Sequence, residues 1–247
     1  MMGFFVDVHS HVVPSGDDGA QSVGEGRTLA AQAAAHGTAI LFATPHVWPQ
    51  LTLPKERERA VRAAYEQVAV GAALDLHLGW ELTPAPPLLE EDLRRYELPG
   101  TGAVLIEVPF SGTADLFFEV AERADAQGLR VVVAHPERTE AVLEDPSVAQ
   151  RAAEHGWLLQ VNATSLLGRH GAEIELLAWR FVDDALVSLV ASDGHRLTRP
   201  PFLDDAYERV TARVGETRAR SLFDGSALGL AAASPRRLPS RAAARGA

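Results

Sequence analysis

The residues with reactive chemistry sit at the ends of short apolar runs. The first run closes in Asp7-Val8-His9-Ser10-His11, the second in Thr44-Pro45-His46 and the third in Trp80-Glu81. The fourth contains Glu107 in Leu105-Ile106-Glu107-Val108, the fifth closes in His135-Pro136-Glu137-Arg138 and the seventh in Ser192-Asp193-Gly194-His195. The sixth ends in Asn162, which is polar but a weak ligand, and Asp17-Asp18-Gly19 follows soon after the first. Residues two apart on a strand share a face, so His9 and His11 point the same way, as metal-binding imidazoles do. Asp7 shares that face, either as a further ligand or as a support for one. A carboxylate buried in Leu-Ile-Glu-Val needs a cation or a metal beside it. Five histidines and four carboxylates are too many for one ion and suit two or three. Imidazole and carboxylate without sulfur favour Mn²⁺, Fe²⁺ or Zn²⁺ over Cu(I) or Ca²⁺. Glu107 can bridge two such ions, and a metal-bound hydroxide is then the natural nucleophile.

Arg138 lies three residues after His135, and Arg199 four after His195, just before Pro200-Pro201. Guanidinium groups bind phosphate oxygens in bidentate fashion and stabilise a transferring phosphoryl group. Two of them beside clustered metals point to phosphate ester hydrolysis rather than amide hydrolysis. Amidohydrolase barrels also open with His-x-His but carry a metal-bridging Lys, whereas the one Lys here, Lys55, lies in a predicted helix. The absence of cysteine removes the thiol nucleophile, the thiolate zinc site, the iron–sulfur cluster and the disulfide framework together. The remaining histidines take simpler readings. His36 and His155 precede a Gly at a helix end, His77 is mid-strand, and His170 lies in a loop where solvent exposure is expected over substrate contact.

The elements that must position these groups alternate. Strands are predicted over 4–8, 39–43, 74–80, 103–108, 130–134, 157–161 and 186–191. Helices are predicted over 22–36, 54–70, 113–127, 146–155, 173–183 and 202–214, with a further one beyond. Ser22 with Glu25 has capping-box spacing, and Gly37, Gly128 and Gly156 sit where helices stop. Read as seven strand–helix units, this alternation implies a parallel sheet with helices outside. In an open sheet the strand ends spread along a line. In a barrel they meet at one mouth. Six of seven ends carry His, Asp or Glu, so the expected fold is α/β, a (β/α)7 barrel, and no Gly-x-Gly-x-x-Gly follows the first strand to argue for a dinucleotide fold.

The chain of 247 residues, 47% hydrophobic, fits one such domain over residues 1–232, followed by a basic tail over 233–247 that holds Arg236, Arg237, Arg241 and Arg245. A net charge of −10 argues against nucleic acid as a partner. No apolar run reaches the length of a membrane helix, and the N-terminus lacks signal-peptide features, so a cytoplasmic protein not itself inserted in a membrane is expected.

The ordered set Asp-Val-His-Ser-His, Asp-Asp-Gly, Thr-Pro-His, Glu81, Leu-Ile-Glu, His-Pro-Glu-Arg and Ser-Asp-Gly-His, spread from Phe4 to about Tyr207, resembles the polymerase and histidinol phosphatase (PHP) superfamily. Within it the chain is most similar to bacterial manganese-dependent protein-tyrosine phosphatases of capsule and exopolysaccharide systems. The resemblance implies a distorted seven-stranded TIM-like barrel (the PHP fold) with two or three divalent ions, Mn²⁺ first. By motif the ligands would be His9, His11, Asp18, His46, Glu81, Glu107, His135, Asp193 and His195. Arg138 and Arg199 would hold the phosphate, and Asp18 joins them as a catalytic candidate. The implied substrate is a phosphotyrosine protein, the Tyr-rich tail of a membrane tyrosine kinase, and a homo-oligomer is implied as well. The chain departs from the family pattern at Gly194, where Ala is usual, at Arg196, where a small polar residue is common, and in a His195–Arg199 spacing one residue short of some relatives. Two other readings share these residues: a small-molecule phosphomonoesterase such as a histidinol-phosphate phosphatase, and a non-catalytic PHP module stabilised by metal. The second would be expected to have lost ligands, and none is lost.

Overall fold

A computed structural model describes residues 4–230. Its nine strands are β1 (Phe5–Asp7), β2 (Thr38–Ala43), β3 (His46–Val47), β4 (Asp75–Leu78), β5 (Glu81–Leu82), β6 (Ala103–Glu107), β7 (Arg130–Ala134), β8 (Leu158–Asn162) and β9 (Val187–Ala191). All pair in parallel, in two sheets ordered β1-β2-β4 and β3-β5-β6-β7-β8-β9.

The two sheets are parts of one ring. β2 and β3 are halves of a single stave, interrupted at Thr44-Pro45, and β4 and β5 are halves of the next, interrupted at Gly79-Trp80. Pro45 has no N–H to give the ladder. Gly79 is pressed so close to Leu98 that a Cβ would lie 2.6 Å from its side chain. Hydrogen bonds from Gly79 N–H to Ala43 O (2.8 Å) and from Glu81 N–H to Pro45 O (3.2 Å) carry the pairing across the break. At the other seam the chain beyond β1 meets the chain beyond β9. Ser10 pairs with Gly194 in parallel, His11 N–H donates to Gly194 O at 2.7 Å, and Asp193 N–H donates to His9 O at 2.9 Å. The result is the expected distorted barrel of seven staves, closed where the His and Asp motifs lie.

Helices Val23–Ala35, Lys55–Ala69, Asp115–Ala126, Ser147–Glu154, Ala172–Asp183 and Asp204–Val214 cover six staves, and Glu216–Phe223 follows the last. The third stave departs from the expected strand–helix unit. Its connection holds only two 3₁₀ turns, Pro86–Leu89 and Leu93–Tyr96. Pro84, Pro86 and Pro87 leave too few backbone donors for an α-helix. The Ser22 cap is as expected, its hydroxyl accepting from Glu25 N–H at 3.2 Å. Glu25 reaches back to Gln21 N–H (2.9 Å) and also accepts from Arg196 Nε at 2.8 Å, which ties this helix to the loop after β9.

Alternation along the strands explains how an apolar barrel ends in a polar mouth. Ala103 and Leu105 of β6, and Leu189 and Ala191 of β9, pack in one buried cluster with Val6, Phe42 and Val132. Two residues further on, the same faces present Glu107 and Asp193. On β8 the face of Leu158 presents Gln160 and Asn162, both fully buried. The outward residues, such as Val104, Ile106 and Val190, belong to the larger core under the helices. Among the described residues no helix is long and apolar enough to cross a membrane. The tail over 233–247, and with it the boundary at 232, lies outside the described residues.

Candidate metal centre

The staves bring the nine expected ligand residues to one end of the barrel. Glu81 is at the middle: its Oε2 lies 3.0 Å from His9 Nε2, 3.1 Å from His11 Nε2 and 3.0 Å from His46 Nδ1, and its Oε1 lies 2.9 Å from His135 Nε2. Asp193 Oδ1 is 3.5 Å from the Nε2 atoms of both His9 and His11 and 3.3 Å from His195 Nδ1. Four overlapping sets each place three ligand atoms within 4.8 Å of one another: His11, His46 and His195; His9, Glu81 and His135; His9, His11 and Asp193; His46, Glu81 and Glu107. All eight residues in these sets are buried.

The Asp17-Asp18 pair divides its work. Asp17 is buried, accepts the N–H groups of Gly19 and His46 at 3.1 Å each, and faces His11 Nδ1 at 3.5 Å. It holds the loop and orients an imidazole. Asp18 has its side chain 61% exposed and lies 3.3 Å from His195 Nε2 and 3.7 Å from His46 Nε2, on the open side of the cluster. Asp18 thus lies beside the cluster, outside the four sets of converging ligand atoms.

Two observations make this cluster compatible with bound cations. First, Glu107 Oε2 and His135 Nδ1 are buried without a partner, and Glu81 Oε2, Asp193 Oδ1 and His46 Nδ1 crowd neighbouring ligand atoms at 3.0–3.5 Å without hydrogen-bond geometry. Orphaned buried polar atoms cost about 1–3 kcal/mol each, and most of these converge on the same space. Second, the protonation demands conflict. Burial opposes ionisation of Glu81, but His46 and His9 outweigh it and hold its carboxyl well below the ordinary range. Glu107 is driven well above that range by burial and by the charge of Glu81. Burial would lower His11, yet Asp17, Asp193 and Glu81 push it well up. Burial and the charge of His11 lower His195 to about 4. Divalent cations remove the conflict by replacing protons with charge fixed among the ligands. The residues thus fit an oxygen- and imidazole-coordinated metal centre.

The backbone is strained where it delivers two of these groups. His135 has φ 32° and Asp193 φ 50°, left-handed values that a non-glycine residue adopts at a cost. Gly194, between Asp193 and His195, has its Cα packed against Pro201, so that a Cβ would stand 2.6 Å from that backbone. The missing side chain lets the short loop carrying Arg199 fold close over the cluster.

Both arginines reach the site. Arg138 Nη1 donates to Asp193 Oδ2 at 2.6 Å. Arg199 Nη2 lies 3.5 Å from Asp193 Oδ1 and contacts His195 Nδ1, and its buried Nε has no partner. His170 is closer to the site than its loop position suggested. It is half-buried, its Nε2 lies 2.8 Å from Thr164 Oγ1, and burial together with the charges of Arg138 and Arg199 lowers it to about 4. Solvent exposure is therefore the wrong reading for it.

A family model described as capsular polysaccharide synthesis, CpsB/CapC, matches residues 5–229. The chain belongs to the CpsB/CapC family. It is 30% identical over 205 residues to the tyrosine-protein phosphatase YwqE of Bacillus subtilis (strain 168), covering 80% of each chain. It is 26% identical over 230 residues to the tyrosine-protein phosphatase CpsB of Streptococcus pneumoniae, covering 88% of this chain and 94% of that one. Crystal structures of YwqE and of S. pneumoniae CpsB are described as unique metal-dependent tyrosine phosphatases. That structural match has a TM-score of 0.78 at 27% identity and covers 88% of this chain and 90% of the other. The PHP-type resemblance drawn from the motifs is thereby placed in one family.

Sequence reasoning missed the supports beneath this centre. Gln160 Oε1 accepts from His9 Nδ1 at 2.9 Å, its Nε2 donates to Asn162 Oδ1 at 2.8 Å, and Asn162 Nδ2 donates to Asp193 Oδ2 at 2.8 Å. This amide chain fixes His9 in the tautomer that frees Nε2 for the cluster, and it fixes the rotamer of Asp193. Glu137, fully buried, accepts Asn162 N–H at 2.9 Å and so anchors the end of β8. Thr83 Oγ1 holds Glu107 through a short contact to Oε1. The available signal was a polar residue, Gln160, inside an otherwise apolar buried strand.

Proposed function

We infer that this chain is a metal-dependent protein-tyrosine phosphatase. In this reading His9, His11, Asp18, His46, Glu81, Glu107, His135, Asp193 and His195 hold two or three divalent ions, Mn²⁺ first among them. The observation that carries it is the convergence of orphaned, buried carboxylate and imidazole atoms with two guanidinium groups at the same barrel end. Bound divalent ions supply positive charge and an activated water at neutral pH.

The chain's own residues do the rest. Arg138 and Arg199 are the phosphate clamp: both now lean on Asp193, and a phosphate dianion offers each of them oxygens with better geometry than a shared carboxylate. Glu81, set among four imidazoles, would hold the ions together with them. Burial of the cluster strengthens each of these charge interactions. A phenolate leaves with an ordinary pKa near 10, far below that of an alkoxide, so an aryl ester makes a small demand for leaving-group protonation. No thiol takes part, because the chain has none.

The family match and the tyrosine phosphatase relatives support a phosphotyrosine protein as substrate; the tail of a membrane tyrosine kinase in capsule or exopolysaccharide export is the specific partner this reading takes from the motif resemblance alone. Such a tail is presented in the cytoplasm, which is where this reading places the chain. The homo-oligomer expected from the resemblance is read by light scattering on the same preparation. The test strips the protein with a chelator, restores Mn²⁺ and compares a phosphotyrosine peptide with histidinol phosphate. Metal-restored hydrolysis of the peptide alone is expected. Hydrolysis of histidinol phosphate instead moves the chain to the small-molecule reading. Bound metal with neither activity leaves another phosphoester as substrate or the binding-module reading.

A further inference from the structure

Large apolar side chains that stay exposed are few among the described residues: Val70, Phe110, Leu176 and Leu197. Val70 and Leu176 belong to outer helices or their ends, while Leu197 lies between His195 and Arg199. Phe110, in the loop after β6, is 47% exposed and is the aromatic one. Its ring stacks on His135, with centroids 5.5 Å apart and planes at 24°. The Arg138 guanidinium carbon lies 5.1 Å from its centroid. The loop beneath it is pinned: Glu140 N–H donates to Phe110 O at 3.0 Å, and Gly112 N–H donates to the Glu140 carboxylate at 3.2 Å. The ring is therefore held out, not left loose.

Trp48 in turn stacks on His46, with centroids 4.3 Å apart and planes at 29°. His46 meets Glu81 Oε2 and His135 meets Oε1, so each aromatic covers a different imidazole of the same centre. The polar interior of the barrel mouth is thus bordered by two aromatic rings, each lying against an imidazole of the cluster. What singles out Phe110 is its place: its ring lies against His135 of the cluster and beside the Arg138 guanidinium, where a substrate ring can meet an aromatic face.

We propose that Phe110 selects aryl over alkyl phosphates by receiving the phenyl ring of the substrate. The proposal rests on Arg138 gripping the phosphate, as in the phosphatase reading. One ester oxygen joins ring to phosphate in phosphotyrosine, so a phosphate held by Arg138 sets that ring beside the aromatic face that Arg138 already touches. Phosphoserine sets a methylene and then peptide backbone there, with no π-face to match. Stacked or edge-on aromatic pairs favour the aryl ligand beyond what area alone gives.

The test uses Mn²⁺-loaded full chain and measures, by calorimetry, dissociation constants for phenylphosphonate and methylphosphonate, which share a headgroup and differ in the ring. Wild type is expected to prefer phenylphosphonate, and Phe110→Ala to lose about fivefold of that preference. Phe110→Tyr is expected to retain it. Unchanged preference in Phe110→Ala overturns the proposal. So does an equal loss for both phosphonates accompanied by loss of bound Mn²⁺, which would make Phe110 a shield for His135 only. The two claims separate in a parallel assay. If wild type fails to hydrolyse a phosphotyrosine peptide, the phosphatase reading falls, while the phosphonate comparison still decides whether Phe110 reads the ring.

Discussion

Gln160→Leu is expected to weaken metal binding although Gln160 is not a ligand. The side chain is fully buried and joins His9, Asn162 and Asp193 in one hydrogen-bonded chain. Leucine fills a similar volume but ends both amide bonds. His9 Nδ1–H then lacks its acceptor and Asn162 Oδ1 its donor, at about 1–3 kcal/mol for each orphan. Added apolar burial offsets part of this, leaving a net loss of about 3 kcal/mol. In a barrel of this size that lowers Tm by roughly 6–12 °C. The larger effect is on the metal. His9 loses the bond that fixes its tautomer, and Asp193 loses a support one link away, so Mn²⁺ affinity is expected to fall about 10–100-fold. Chelator-stripped wild type and variant would be titrated with Mn²⁺ by calorimetry, with urea melts of both apo proteins alongside. Gln160→Glu keeps the acceptor for His9 but not the donor to Asn162, and is expected to fall between the two. A Leu variant that loses stability yet binds Mn²⁺ within twofold of wild type refutes the reasoning, because the amide chain would then be packing alone.

Chelation of the loaded protein is expected to lower Tm by roughly 10–20 °C. Two ions held at about 100 times their dissociation constants each contribute about 2.7 kcal/mol, and each kcal/mol is worth about 2–4 °C here. An unchanged melt after metal removal counts against the centre. Arg138→Ala is expected to lower kcat/KM for a phosphotyrosine peptide about 10²–10³-fold with bound Mn²⁺ retained, whereas His135→Ala loses both, so matching metal content and kinetics in the two variants would contradict their different roles. Glu137 gives a pH signature. Burial chiefly pushes its carboxyl from 4.5 up to about 7, so the protonated form is favoured in the fold. That contribution is complete below the unfolded value and is lost as pH rises through 7. Glu137→Gln stays neutral, so its stability relative to wild type is expected to rise by about 3 kcal/mol between roughly pH 4 and pH 8. Urea midpoints that run parallel across that range would exclude it.

The strand-end motifs made much of this molecule readable. His9, Glu107 and Asp193 sit where seven apolar runs stop, and only a ring brings such ends together. The short second halves of two staves, His46–Val47 and Glu81–Leu82, were less legible: the predicted runs stop at 43 and 80, and the ladder resumes only beyond Pro45 and the Gly79 contact with Leu98. The count of seven strand–helix units overshot at the third stave: no helix was predicted between 80 and 103, and only two 3₁₀ turns form there. Asp17 and Asp18 are adjacent and chemically alike, so spacing alone did not separate the loop anchor from the exposed group at His195. The motif did. Gln160 was hidden because one amide in a buried apolar strand leaves a period-2 pattern intact, and its worth depends on partners 151 and 2 residues away. Phe110 and Trp48 carry no spacing signal at all. Their meaning lies in which imidazole each one covers.

The central claim is that one barrel mouth holds a multinuclear metal centre. Crystals of Mn²⁺-loaded protein, measured at the manganese absorption edge, test it most directly. The account predicts two or three anomalous peaks among His9, His11, Asp18, His46, Glu81, Glu107, His135, Asp193 and His195. A fully loaded, folded protein with a single peak there, or with its peaks elsewhere, would contradict it.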